Sequence, residues 1–158
     1  MESRVQRFGY QSAQPTLYPY LDDLINALQT ELELAYPVLA YATLETVSIQ
    51  GTPTICLVAE DTTILDGIQS ARRLQNIRVQ QVWTILIVLR DAGDQQITTP
   101  LLRELGEWQA NVLRILGRQA IPSGGPLNLI DCPKPEAIAG GAIAGRIRFQ
   151  CQFVLNLE

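Results

Sequence analysis

The sequence contains no histidine, a single lysine and only three cysteines. Without an imidazole there is no Ser-His-Asp or Cys-His catalysis and no histidine metal ligand. No side chain has an unperturbed pKa between about 5 and 8. Cys56, Cys132 and Cys151 are odd in number and far apart, and they form no Cys-x-x-Cys pair. Neither a zinc site nor a disulfide framework fits, and buried free thiols are expected. Long apolar runs are also missing. The longest, Val82 to Leu89, falls far short of the ~20 residues a spanning helix needs. Met1 to Gln14 is polar, with Arg4 and Arg7 and no apolar stretch behind them, so it does not read as a secretory signal. Together these absences predict a soluble, globular, intracellular chain with little to catalyse with.

What is present is a length of 158 residues and a hydrophobic fraction of 47%, enough for one well-buried core and too apolar for intrinsic disorder. Twelve basic residues, eleven of them arginine, are scattered among sixteen acids for a net charge of −4. Without clustered positive charge to displace counterions, such a surface should hold duplex DNA poorly.

Periodicity divides the chain. Met1 to Pro15 carries Phe8 and Tyr10 but no helical or alternating pattern and reads as an arm. From Thr16, a plausible N-cap, Leu17, Leu21, Leu24, Leu28 and Leu32 keep one apolar stripe. They predict a helix that Pro37 stops near Tyr36. Thr43 to Ile49 and Thr54 to Ala59, separated by Gln50-Gly51-Thr52-Pro53, read as a hairpin that Glu60-Asp61-Thr62-Thr63 interrupts. Ile64 to Ile77 is an excursion of mixed structure. Val79 to Leu89 is apolar on both faces and suits a central strand. A second helix should start near Thr98 or Thr99 with Pro100 in its first turn and bury Leu101, Leu105, Trp108, Val112 and Ile115; Gly117 and Pro122 bracket its end. Leu127 to Ile130 is a short strand, Asp131 to Gly145 a long loop, and Arg146 onward the most regular strand. There Ile147, Phe149, Cys151, Phe153, Leu155 and Leu157 alternate with Arg146, Arg148, Gln150, Gln152 and Asn156. The expected fold is a single α+β domain over residues 16–158. It has a mainly antiparallel sheet of about four or five strands, with both amphipathic helices on one side.

Motifs that carry chemistry are scarce. The glycine-rich stretch from Gly140 and Gly141 to Gly145 leads into a strand rather than a helix N-terminus, so it lacks the free N–H groups of a phosphate cradle. Asp22/Asp23 point apart on a helix, Asp91/Asp94 suit an Asx turn, and Glu60/Asp61 reads as a strand end. Arg72 and Arg73, with Arg78 nearby, form the one local basic cluster, and no aromatic residue is interleaved there to stack bases. Trp83, Trp108 and Cys151 sit in register with apolar neighbours and read as core. No cofactor or metal is expected.

The order of elements carries a resemblance. A leading helix, a hairpin, an arginine-bearing excursion and a second helix before a C-terminal strand accompany the stretch Arg72-Arg73 through Val79-Gln80-Gln81-Val82-Trp83-Thr84-Ile85-Leu86-Ile87-Val88-Leu89-Arg90-Asp91. Over about Leu17 to Leu157 this layout resembles the tail terminator and minor tail proteins of long-tailed phages, of the Mu-like kind. The resemblance implies a virion structural protein, not an enzyme, that forms a hexameric ring on the tail tube and offers a face to the neck. Its partners would be its own copies, the tail tube protein, a sheath protein where there is one, and the head–tail connector. Viral DNA would pass through without specific binding, and no membrane would be involved. Assembly would take place in the host cytoplasm. Arg72, Arg73, Arg78, Arg146, Arg148, Gly140 and Gly141 are the candidate subunit or lumen contacts, and Met1 to Pro15 and Pro133 to Gly145 the candidate assembly segments. A head-closure or tail-completion protein fits the same pattern. A small-molecule-binding α+β domain is the alternative of another class.

Overall fold

A strand with apolar side chains on both faces must lie inside a sheet and be covered on both sides. In the computed structural model, which describes residues 16–43, 51–65, 76–90, 99–118, 127–138 and 141–157, the strand around Val79 to Leu89 does this. The elements are α1 (Leu21–Glu31), β1 (Leu39–Tyr41), β2 (Thr54–Ile64), β3 (Asn76–Arg90), α2 (Thr99–Arg118), β4 (Asn128–Asp131), β5 (Glu136–Ile138) and β6 (Ala142–Asn156). They form a single α+β domain with a six-stranded sheet in the order β1-β2-β3-β6-β4, β5 pairing further along β6. Only β1–β2 is parallel; the other pairs are antiparallel.

The β3–β6 ladder runs unbroken from Asn76 opposite Asn156 to Arg90 opposite Ala142. One face of it places Trp83 opposite Phe149, Ile85 opposite Ile147 and Leu89 opposite Ile143. Both helices lie against this face. Leu24 and Leu28 of α1 and Leu101, Leu105, Val112 and Ile115 of α2 join those residues in one buried cluster. On the outer face a smaller cluster of Cys56, Leu86, Val88, Ala142 and Ala144 is buried as well. Trp83 is core, as its register predicts, whereas Trp108 is half-buried.

The first helix is shorter at both ends than its leucine spacing predicts. It starts at Leu21 because Tyr18 precedes Pro19, and a residue before proline is driven out of the helical region. Thr16 therefore does not cap it: its hydroxyl accepts from the Tyr18 N–H at 3.1 Å, a local turn, and Tyr20 takes the cap position without a side-chain bond. Leu17 is left exposed. The end is set at Glu33 rather than Pro37. Glu33 adopts φ 51°, its N–H donates to the Thr30 carbonyl at 3.3 Å, and the Leu34 N–H donates to the Gln29 carbonyl at 3.4 Å. This is a Schellman closure, for which glycine is the usual residue. Gln29 then ties the turn to β1: its amide donates to the Leu34 and Tyr36 carbonyls, and its Oε1 accepts from the Val38 N–H at 2.7 Å.

Two further expectations are corrected, and a third lies largely outside the described residues. The strand beside the start of β2 is Leu39–Tyr41, running parallel to it; residues 44–50, which hold nearly all of the first strand of the expected hairpin, lie outside the described residues. Glu60-Asp61 does not end β2, which continues to Ile64 through a bulge between Ala59 and Asp61. The segment from Asp131 to Gly145 is largely strand: β5 and the start of β6 occupy it, and Gly141 to Gly145 are buried. Gly145 has a packing reason. A Cβ there would lie 2.9 Å from both Leu105 methyl carbons, so its hydrogen lets α2 approach the sheet. The expected thiol burial holds for Cys56 and Cys151, whose pKa values burial pushes up to about 12 and about 11, but Cys132 is exposed.

Replacing Glu33→Gly removes left-handed strain at a residue with a side chain, and should raise stability by about 0.5–1 kcal/mol in urea denaturation. Gly145→Val forces Leu105 aside and should lower stability by about 1–3 kcal/mol in the same assay.

Candidate functional site: a charged cleft on the outer sheet face

Outward-facing positions of β3 and β6 alternate with the core positions, so Thr84 stands opposite Arg148 and Leu86 opposite Arg146. Two irregularities in neighbouring strands bring carboxylates to this pair. The β2 bulge leaves Glu60 without a ladder partner, and a second bulge in β4, between Leu129 and Asp131, sets Asp131 opposite Arg148. The buried Thr84 hydroxyl donates to Glu60. Arg148 donates to Glu60 from Nε at 3.4 Å and Nη2 at 3.3 Å, and to Asp131 from Nη1 at 3.2 Å. One guanidinium thus ties β6 to β2, across β3, and to β4. Arg146 pairs more loosely with Glu136 of β5, at 3.4 Å.

These groups border a cleft of about 530 Å³. Glu60 and Asp61 come from β2, Arg146 and Arg148 from β6, and Val58 and Pro133 are among the apolar lining. Partial desolvation pushes the Glu60 carboxyl up. The hydrogen bonds from Thr84 and Arg148 and the charges of Arg148 and Arg146 outweigh this and hold it below the ordinary glutamate range. The Arg148 guanidinium is raised, mainly by its hydrogen bond to Glu60. Chemically the arrangement is a set of satisfied charges. The carboxylates accept, the arginines donate, and the Thr84 hydroxyl donates to a carboxylate that already faces a cation. An anion entering the cleft would meet Arg146 and Arg148, and both already face carboxylates. Among the described residues no group of three or more cysteine, aspartate or glutamate side chains is placed to hold a metal, and no helix is long and apolar enough to cross a membrane.

Of the sequence-predicted contact residues, Arg146 and Arg148 come together here. Arg78 lies on the same outer face, opposite Val154. It is six residues along β3 from Thr84, about 20 Å away at strand rise. Gly141 is buried with φ 72°, at the turn into β6. Arg72, Arg73 and Gly140, with Asp91 and Asp94, lie outside the described residues. Asp22 and Asp23 are exposed in the first turn of α1. Sequence reasoning missed Glu60, Thr84 and Asp131. Thr84 was detectable, because it shares the phase of Arg146 and Arg148 in the alternation, whereas the bulges that deliver the acids leave no comparable periodicity. Comparison with protein-family models and with curated proteins finds no match to this chain.

Because the Glu60 pKa is lowered in the folded state, its contribution to stability is fully present above the ordinary glutamate value, about 4.3. It is lost as pH falls through the lowered folded value. Glu60→Gln should therefore lower stability most at pH 7 to 8, where the carboxylate contributes fully, and leave a shallower fall of stability on the acid side, so that the gap to the wild type closes as pH drops, read by urea denaturation across pH. Side chains of Glu60 and Arg148 are each 30% exposed, so screening keeps their pairing modest. A double-mutant cycle of Glu60→Gln with Arg148→Met should return a coupling of about 0.5–1 kcal/mol.

Proposed function

We propose that this protein is a virion structural subunit, a tail terminator that forms a ring on the end of a phage tail tube and joins it to the neck. The observation that carries the reading is the order of elements. A leading helix, a long central strand from Asn76 to Arg90, a second helix and a C-terminal strand are among the elements on which the resemblance rests; most of its hairpin and arginine-bearing excursion lies outside the described residues. The neutralised arginines of the outer face support it. Arg146 and Arg148 are both matched to carboxylates, and six copies of a chain at −4 would carry about −24, a field that repels DNA rather than gripping it. Such a role needs no catalytic group. Its partners are further copies of itself, the tube protein, a sheath protein where one exists, and the connector or head-closure proteins on the other side. Met1 to Pro15, outside the described residues, is the segment proposed to reach a neighbour.

The cleft between Glu60, Asp61, Arg146 and Arg148 favours a second reading, a domain that binds a small molecule bearing both charge signs. The two readings separate in one experiment. Added to growing tail tubes, a terminator stops elongation and shortens the length distribution in proportion to its concentration; tubes that grow unchanged would contradict the proposal. Under the same reading the purified protein leaves duplex DNA unshifted at physiological salt in a mobility-shift assay. Tight, salt-sensitive retention would contradict it and implicate Arg72, Arg73 and Arg78.

A further inference from the structure

A sheet five strands wide spans roughly 24 Å at about 4.8 Å per strand, whereas two helices about 10 Å across cover about 20 Å of it. Among the described residues both margins of the helix side are left short of cover, and both are apolar. At the β1 margin Tyr18, Leu21, Ala40 and Trp83 line a groove of about 200 Å³. At the β4 margin Leu129 is 54% and Ile130 41% exposed, beside an apolar recess of about 270 Å³ that Leu113, Leu116 and Phe149 line. The rims carry opposite charge. Asp22 and Asp23 follow Leu21 on a helix that contains no basic residue. Arg114, which hydrogen-bonds Asn111 at 2.9 Å, lies between the recess residues Leu113 and Gly117 on α2.

We propose that these margins are the two halves of one contact between copies of this chain. Leu129 and Ile130 of one copy seat in the Tyr18–Ala40–Trp83 groove of the next, with Arg114 of the first against Asp22 of the second. Charge selects this pairing, because a groove-to-groove contact would set Asp22 and Asp23 against their own kind. The margins stand at opposite ends of the strand order, so each copy that gives its β4 margin still has its groove to offer. The contact is head-to-tail and repeats until it closes into a ring or runs on as a filament. Closure into a ring rests on the terminator reading; the contact does not.

Sedimentation velocity over a concentration series tests it. The wild-type protein self-associates, while Leu129→Arg and Ala40→Arg, each with one half of the contact blocked, lose association with unchanged melting temperatures. Mixed one to one, these two variants form a heterodimer and nothing larger, through the one intact groove and the one intact ridge. Asp22→Arg alone weakens association about two- to fivefold, and Asp22→Arg with Arg114→Asp in the same chain restores it. A wild-type protein that stays monomeric at every concentration, blocked variants that assemble like the wild type, or a mixture without heterodimer would each overturn the contact. An assembly built through these margins that ignores tube ends would remove the terminator reading and leave the contact standing. A monomer that still caps tubes would do the reverse.

Discussion

The pairing of β3 with β6 is the constraint on which the rest of the molecule depends. Fifteen consecutive partners, from Asn76 with Asn156 to Arg90 with Ala142, fix which side chains of both strands face the helices. A slip of one residue would turn one strand over relative to the other, sending either Trp83 and Ile85 or Phe149 and Ile147 outward and bringing Thr84 or Arg148 into the core. The cost of burying an arginine without its carboxylates, added to the lost apolar burial, disfavours any register shifted by one residue. Everything else is attached to this pair. β2 and β4 extend it on either side, α1 and α2 cover one face, and the ion pairs of Arg146 and Arg148 lace the other.

The two faces divide the labour. The helix side supplies the continuous core, and close approach of α2 is possible only because Gly145 has no side chain to meet Leu105. Thermodynamically the outer face is less decisive, because half-exposed ion pairs each contribute little. Its Arg148 network acts chiefly as a positional device. A single guanidinium bonded to Glu60 and Asp131 holds the bulged parts of β2 and β4 at fixed places relative to β6. On the proposed reading such fixed margins matter, because a neighbouring copy would read the position of edge strands rather than the chemistry of any one group.

Much of this was legible in the sequence where periodicity is strong. Leu101, Leu105, Val112 and Ile115 announce α2, the double-sided run to Leu89 announces the central strand, and the alternation from Arg146 onward announces β6 and its inward residues. Elements were misread where a local device overrides pattern. Glu33 closes α1 in a conformation usually taken by glycine, so no punctuation marks the end. Pro19 delays its start despite an intact leucine stripe, and the bulge at Glu60 disguises a continuous strand as an interrupted one. The short strands β1 and β5 hold too few residues for any alternation to register. The charged cleft was half visible, in Arg146 and Arg148, while its acids arrive from distant strands through pairings that single-sequence patterns do not encode.

The proposal is that the surfaces of this chain carry its work, and its place in a particle is the central claim. Immunogold labelling of assembled tails with an antibody to this protein tests that most directly. The account predicts label at one end of each tail only, the end that meets the head. Label distributed along the tube, or tails without label, would contradict it.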